Sequence, residues 1–156
     1  MLRSAVFALA FSAAFGTADW ERYESPHCPF AADFPSTTET QIGVRGNADT
    51  SVLDGMSYYS VSCGPSPIPL TDRSVGDELV GAMFASTDGG RADSLWTTEV
   101  AGTPALRKVH TVGGGLRIHR VALYTDAHIY LLSVSDWERE PADVERFFDG
   151  FALLEK

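Results

Sequence analysis

Residues 116–135 read LRIHRVALYTDAHIYLLSVS. Ile118, Arg120, Ala122 and Tyr124 alternate with His119, Val121 and Leu123, the period of two that marks a half-buried strand. From Ile129 to Val134 the run turns almost continuously apolar, as in a central strand covered on both faces. Asp126-Ala127 lies between the two runs as a turn, so they read as an antiparallel pair. Upstream, 96–100 and 105–112 read as two more strands, set off by Gly102-Thr103-Pro104 and Gly113-Gly114-Gly115. The second half of the chain is therefore mostly β.

Further out, the pattern changes twice. Val75, Leu79 and Met83 fall on one stripe with Val80 and Phe84 beside it, which predicts a helix opening at Ser74. Asp77 follows three residues later as an approximate capping box, and Gly89-Gly90 ends the helix. Near the C-terminus, Val144, Phe147, Phe148 and Phe151 predict a second helix. Pro141 stands near its start, and Glu138, Glu140 and Asp143 favour its N-terminal dipole. Gly150 closes it, and 151–154 adds a short strand. Before the first helix, 20–23, 30–34, 38–44 and 56–63 read as strands, with a loop at 46–49 and an extended Pro65, Pro67, Pro69 connection. The blocks do not alternate regularly. The expected class is α+β, a mostly antiparallel sheet flanked by helices.

The N-terminus carries an export signature. Arg3 precedes the apolar run 5–15, and Gly16, Thr17 and Ala18 supply the small residues of a cleavage site. A bilayer span needs about 20 apolar residues, more than this run has. The expected cut follows Ala18, leaving 19–156 as one domain without stable membrane insertion, in the periplasm or outside the cell. The net charge of −9 becomes −10 when Arg3 is removed. That balance argues against nucleic acid or an anionic membrane as partner.

Cys28 and Cys63 are the two cysteines. An even count in an exported chain predicts one disulfide. Such a bridge closes a loop of about 35 residues, worth roughly 3.5–4 kcal/mol in the chain-entropy picture.

Several segments together are familiar: Trp20 and Tyr23, the aromatic strand from Phe30 to Pro35, the run 100–105, Arg120 to Tyr124, His128 to Leu132, and Arg146 to Phe151. They resemble the Mog1/PsbP-like domains over nearly the whole mature chain. That resemblance implies an α/β/α sandwich, and it implies a binding or accessory role. No catalytic motif is carried across with it.

Motifs for chemistry are sparse. His110 and His119 flank the Gly113–Gly115 turn and could share a face as two metal ligands, but no carboxylate completes the set. Asp88 and Asp93 lack the alternation and closing Glu of a calcium loop. The chain has no Gly-x-Ser-x-Gly elbow, and its triple glycine lacks a phosphate-loop lysine. Trp20, Tyr58, Tyr59 and Trp96 are the candidates for an apolar ligand groove. The reading is a monomeric, non-catalytic domain that binds a protein or small ligand and carries no metal or cofactor. An unrecognised hydrolase or metal-dependent enzyme is the alternative.

Overall fold

The computed structural model describes residues 20–43, 46–66, 68–87, 93–137 and 143–155. The expected leader, Pro67, the segment 88–92 and the segment 138–142 with Pro141 lie outside them. A seven-stranded, wholly antiparallel sheet runs in the order β3-β4-β5-β9-β8-β7-β6. Its strands are β3 (Glu39–Ile42), β4 (Ala48–Asp54), β5 (Ser57–Pro65), β6 (Ser94–Val100), β7 (Thr103–Thr111), β8 (Arg117–Tyr124) and β9 (His128–Asp136). A second sheet joins β1 (Glu21–Glu24), β2 (Phe30–Phe34) and β10 (Ala152–Leu153) in the order β1-β2-β10. The helices are α1 (Arg73–Thr87) and α2 (Val144–Asp149). This is an α+β architecture dominated by antiparallel strands, as the sequence pattern led one to expect.

β9 occupies the centre of the large sheet, and the reason is visible in its residues. Tyr130, Leu132 and Val134 are each fully buried on one face. Ile129 and Leu131 are half-buried on the other, so both sides of the strand are apolar. The first face is sealed by the small sheet and α2. Rings form a connected series there: Trp20 to Tyr59, Tyr59 to Phe147, Phe147 to Phe34, then Tyr23, Phe30, Phe151 and Tyr130. Centroid spacings of 5.3–6.1 Å place these pairs in the favourable range. The Cys28–Cys63 disulfide forms as expected and ties the turn before β2 to β5, that is, one sheet to the other.

The opposite face carries α1. Val80 and Phe84 pack on Ala122, with Leu106, Tyr124 and Leu131 beside them. The buried stripe is Gly76, Val80 and Phe84, while Val75, Leu79 and Met83 are half-buried. Gly76 is required: a Cβ there would lie 2.1 Å from the Tyr124 ring. The N-terminus is capped two residues earlier than expected. Asp72 Oδ1 accepts from the Ser74 amide at 2.9 Å, and that bond and the Ser74 hydroxyl hold its carboxyl below the usual range. Asp77 instead accepts a hydrogen bond from the Tyr124 hydroxyl.

β4 is the element the sequence pattern hid. Ala48 and Asp49, expected in a loop, begin it. Ala48 and Thr50 are fully buried and Val52 nearly so, but Asp49, Ser51 and Leu53 between them face outward. Only half its positions carry the signal. The β6–β7 hairpin turns on Ala101 and Gly102, both at positive φ, so Thr103 and Pro104 belong to β7 and not to the turn. Gly150 ends α2 with φ −76°, a right-handed conformation, so no left-handed cap is needed.

Candidate functional site

The four aromatic groove candidates separate into three places. Trp20 stacks edge-on against Tyr59 at 5.7 Å, and the Arg146 guanidinium lies 4.7 Å over the Trp20 ring. Tyr59 is 3% exposed and belongs to the core. Tyr58 is its neighbour in β5 and therefore points to the other face, 43% exposed beside Leu53 on β4. Trp96 stands on the edge strand β6, four strands from β5, roughly 19 Å at ordinary strand spacing. There it covers Arg107, whose guanidinium also lies over Phe148 and forms a bidentate pair with Glu145. That pair holds the Glu145 carboxyl below its ordinary range and pins α2 to the sheet. Three of the four thus share the sealed face, yet only Trp20 and Tyr59 touch.

His110 and His119 do not meet. His119 pairs with Val109, and His110 pairs with Ile118. A one-residue offset across an antiparallel ladder puts the two imidazoles on opposite faces, so they cannot share an ion. Among the described residues no cluster of three His, Cys, Asp or Glu side chains has metal-binding geometry.

The other two histidines do come together. At the end of the molecule where β8 turns into β9, an open cleft of about 780 Å³ lies between the two sheets. His27 and Pro29 form one wall, the turn from Thr125 to His128 a second, and Leu153 to Glu155 a third. Tyr130 lies beneath the cleft, its side chain fully buried. These segments are distant in sequence but fixed in space. The Ser25 hydroxyl accepts from the amides of His27 and Cys28 and shapes the first turn. Thr125 and His128 exchange two hydrogen bonds across the second, at 2.8 and 3.2 Å. Backbone amides of Ser66 and Leu70 donate to the carbonyls of Ala127 and Asp126. The Leu154 amide donates to Pro29 and holds the chain's last residues against the first wall. The disulfide lies close by: Cys28 follows His27, and Cys63 pairs with Tyr130 across the ladder.

The chemistry of this cleft is mixed. Asp126 and Glu155 are exposed on its rim, and His128 is half-buried, its ring 6.2 Å from that of Tyr130. The Tyr130 side chain is fully buried, and burial pushes its hydroxyl up to about 12, so it stays protonated in any physiological medium. Thr125 lies beside that hydroxyl, but no hydrogen bond of good geometry engages it. His27 and His128 lie about a hundred residues apart in the sequence. Nothing in their spacing signals that the first turn and the β8–β9 turn become neighbours.

No family model matches the chain, and no curated protein matches it. Among solved structures it is similar to a protein from Bacteroides thetaiotaomicron VPI-5482, with a TM-score of 0.59 at 13% identity. The match covers 86% of this chain and 48% of that one, so the chain spans about half the length of the structure it matches. At that identity the likeness shows a shared fold.

Proposed function

We propose that this chain is an exported, non-catalytic binding domain whose ligand occupies the cleft walled by His27, His128 and Leu154. The observation that carries the proposal is the cleft itself: a volume of about 780 Å³ with apolar lining from Pro29, Leu153 and Leu154 and a rim of polar groups that converge from three separate segments. Binding sites combine an apolar or aromatic base with a few placed polar groups in this way. Export is supported by the leader signature and by the disulfide, which persists in oxidising compartments. No helix among the described residues is long and apolar enough to cross a membrane. The reading as a Mog1/PsbP-like accessory domain is supported by α1 lying on one face of an antiparallel sheet and α2 on the other. The test is a small-fragment screen of the mature domain read by amide chemical shifts. Hits are expected to move His27, Asp126, His128 and Leu154. Hits that converge on another surface, or turnover of a fragment, contradict the proposal.

A further inference from the structure

We propose that β6 is a docking edge for an extended segment of another polypeptide, which joins the large sheet as an eighth strand at a surface separate from the cleft. Among the described residues β6 pairs with β7 alone. It runs for seven residues and holds no Pro, Gly, Lys or Arg. Ser94 to Thr97 are all exposed, Leu95 at 55% and Trp96 at 39%. Sheet edges are ordinarily blunted by prolines, lysines, bulges or brevity. The opposite edge, β3, is only four residues long and opens with Glu39.

The hairpin fixes which backbone groups the edge offers. Its two-residue turn, Ala101-Gly102, closes on Val100 and Thr103, which makes that pair hydrogen-bonded in both directions. Alternation then bonds Thr98, Trp96 and Ser94 to β7 and turns the amides and carbonyls of Leu95, Thr97 and Glu99 away from it. Pro104, which has no N–H, falls opposite Glu99 at an unbonded position, as this phase requires. Open backbone groups at every second residue are the template for another strand.

The side chains of the same three residues face α1, because Thr97 pairs with Leu106 and Leu106 packs against Val80 and Phe84. Beside Thr97 lies a hollow of about 220 Å³ based on Val80, Leu106 and Ala122, with the exposed Arg73 and Asp77 at its rim. The Tyr124 hydroxyl, 2.9 Å from the Arg73 carbonyl and 3.1 Å from Asp77 Oδ1, ties that end of α1 to β8. Small-molecule sites usually offer about 300–1,000 Å³, so this hollow suits a single side chain. In an antiparallel strand added to β6, the residue bonded to Thr97 points to the α1 side, next to the hollow. The residue two before it lies opposite Glu99, and the residue two after it lies opposite Leu95. A basic side chain complements the first position and aliphatic ones the other two, so the partner reads basic-x-aliphatic-x-aliphatic. A second copy of this chain would bring its own charge of −9, which favours a partner of opposite sign.

The experiment uses the mature, oxidised domain and the end-capped heptapeptide Thr-Lys-Thr-Val-Thr-Leu-Thr, read by amide shifts and amide exchange. Slower exchange is expected at Leu95, Thr97 and Glu99, with little change at Trp96 and Thr98, which already bond to β7. Methylating the peptide's valine nitrogen removes the donor to Thr97 and should weaken binding at least about tenfold. The reversed peptide moves the lysine from Glu99 to Leu95 and should bind about two- to fivefold more weakly. Thr97→Pro removes an N–H that β7 does not use, so the hairpin should persist in the amide spectrum while binding is lost. The methylated peptide decides the matter if that variant does not fold. No binding, equal binding after methylation, or protection without the alternation overturns the proposal, and equal binding of the reversed peptide overturns its charge pairing. Protection of the same three amides that grows with protein concentration and needs no peptide assigns the edge to a second copy and overturns the peptide reading. Peptide shifts centred on His27, His128 and Leu154 overturn it in favour of the cleft. Failure at β6 leaves the cleft to be decided by its own fragment screen.

Discussion

On one face of the seven-stranded sheet, Val61, Leu123, Tyr130 and Leu132 are fully buried beneath the small sheet and α2. On the other, Ser51, Ser60 and Ser133 form a directly paired row across β4, β5 and β9 and are only half-buried, while α1 packs over β7 and β8. Leu53 and Tyr58 stand exposed at the end of that row. One face is closed by interlocking rings and a crosslink; the other is closed by a single helix over part of its width. The closed face sets the register of every strand, because a one-residue slip would drive Tyr59, Val61 and Cys63 to the serine side. The open face carries small and polar side chains across β4, β5 and β9, and that is where the sequence pattern was weakest.

The largest effect should come from the closed face. Phe147 lies between Phe34 and Tyr59 at 5.3 and 5.5 Å. Phe147→Ala should cost about 3–5 kcal/mol in chemical denaturation, whereas Ser60→Ala on the open face should stay within about 0.5 kcal/mol. Comparable costs for the two would erase the contrast. Next comes the crosslink. The Cys28→Ala/Cys63→Ala pair should lose about 2–4 kcal/mol, and faster amide exchange should concentrate in the His27 turn and β2. Gly76→Ala probes the single helix of the open face. Its Cβ meets the Tyr124 ring, so about 1–3 kcal/mol of strain should outweigh the gain in helix propensity. Loosening should stay within α1, β7 and β8.

The smallest effect is electrostatic. Arg107 depresses the Glu145 carboxyl, so the pair stabilises the fold above the unfolded carboxylate range and loses that contribution as pH falls through the lower folded value. The Glu145 side chain is 68% exposed, so solvent screens the pair. Glu145→Gln should unfold slightly earlier than the parent at pH 7, and the gap should close below about pH 4 and narrow in high salt.

The sheet, both helices and the cysteine pairing were legible because each leaves a local trace. β9 announces its central position by being apolar on both sides, and α1 by its fourfold spacing. β4 was not legible, because Asp49 and Ser51 face the open side and interrupt the buried series Ala48, Thr50, Val52. The faces of His110 and His119 depended on the exact register across Gly113–Gly115, where Gly114 and Gly115 take positive φ and shift the pairing by one. The cleft was the least legible feature. His27, Asp126, His128 and Glu155 converge through topology alone: β10 pairs with β2, and the disulfide brings the His27 turn against β5. Periodicity carries no information about either contact.

The account depends on a chain that leaves the cytoplasm and is oxidised across its two sheets. Intact-mass measurement of the native protein, recovered from envelope or medium without reductant, tests this directly. The prediction is a chain beginning at Asp19 that is two hydrogens lighter than its reduced form. A full-length chain starting at Met1 with two free thiols would contradict it.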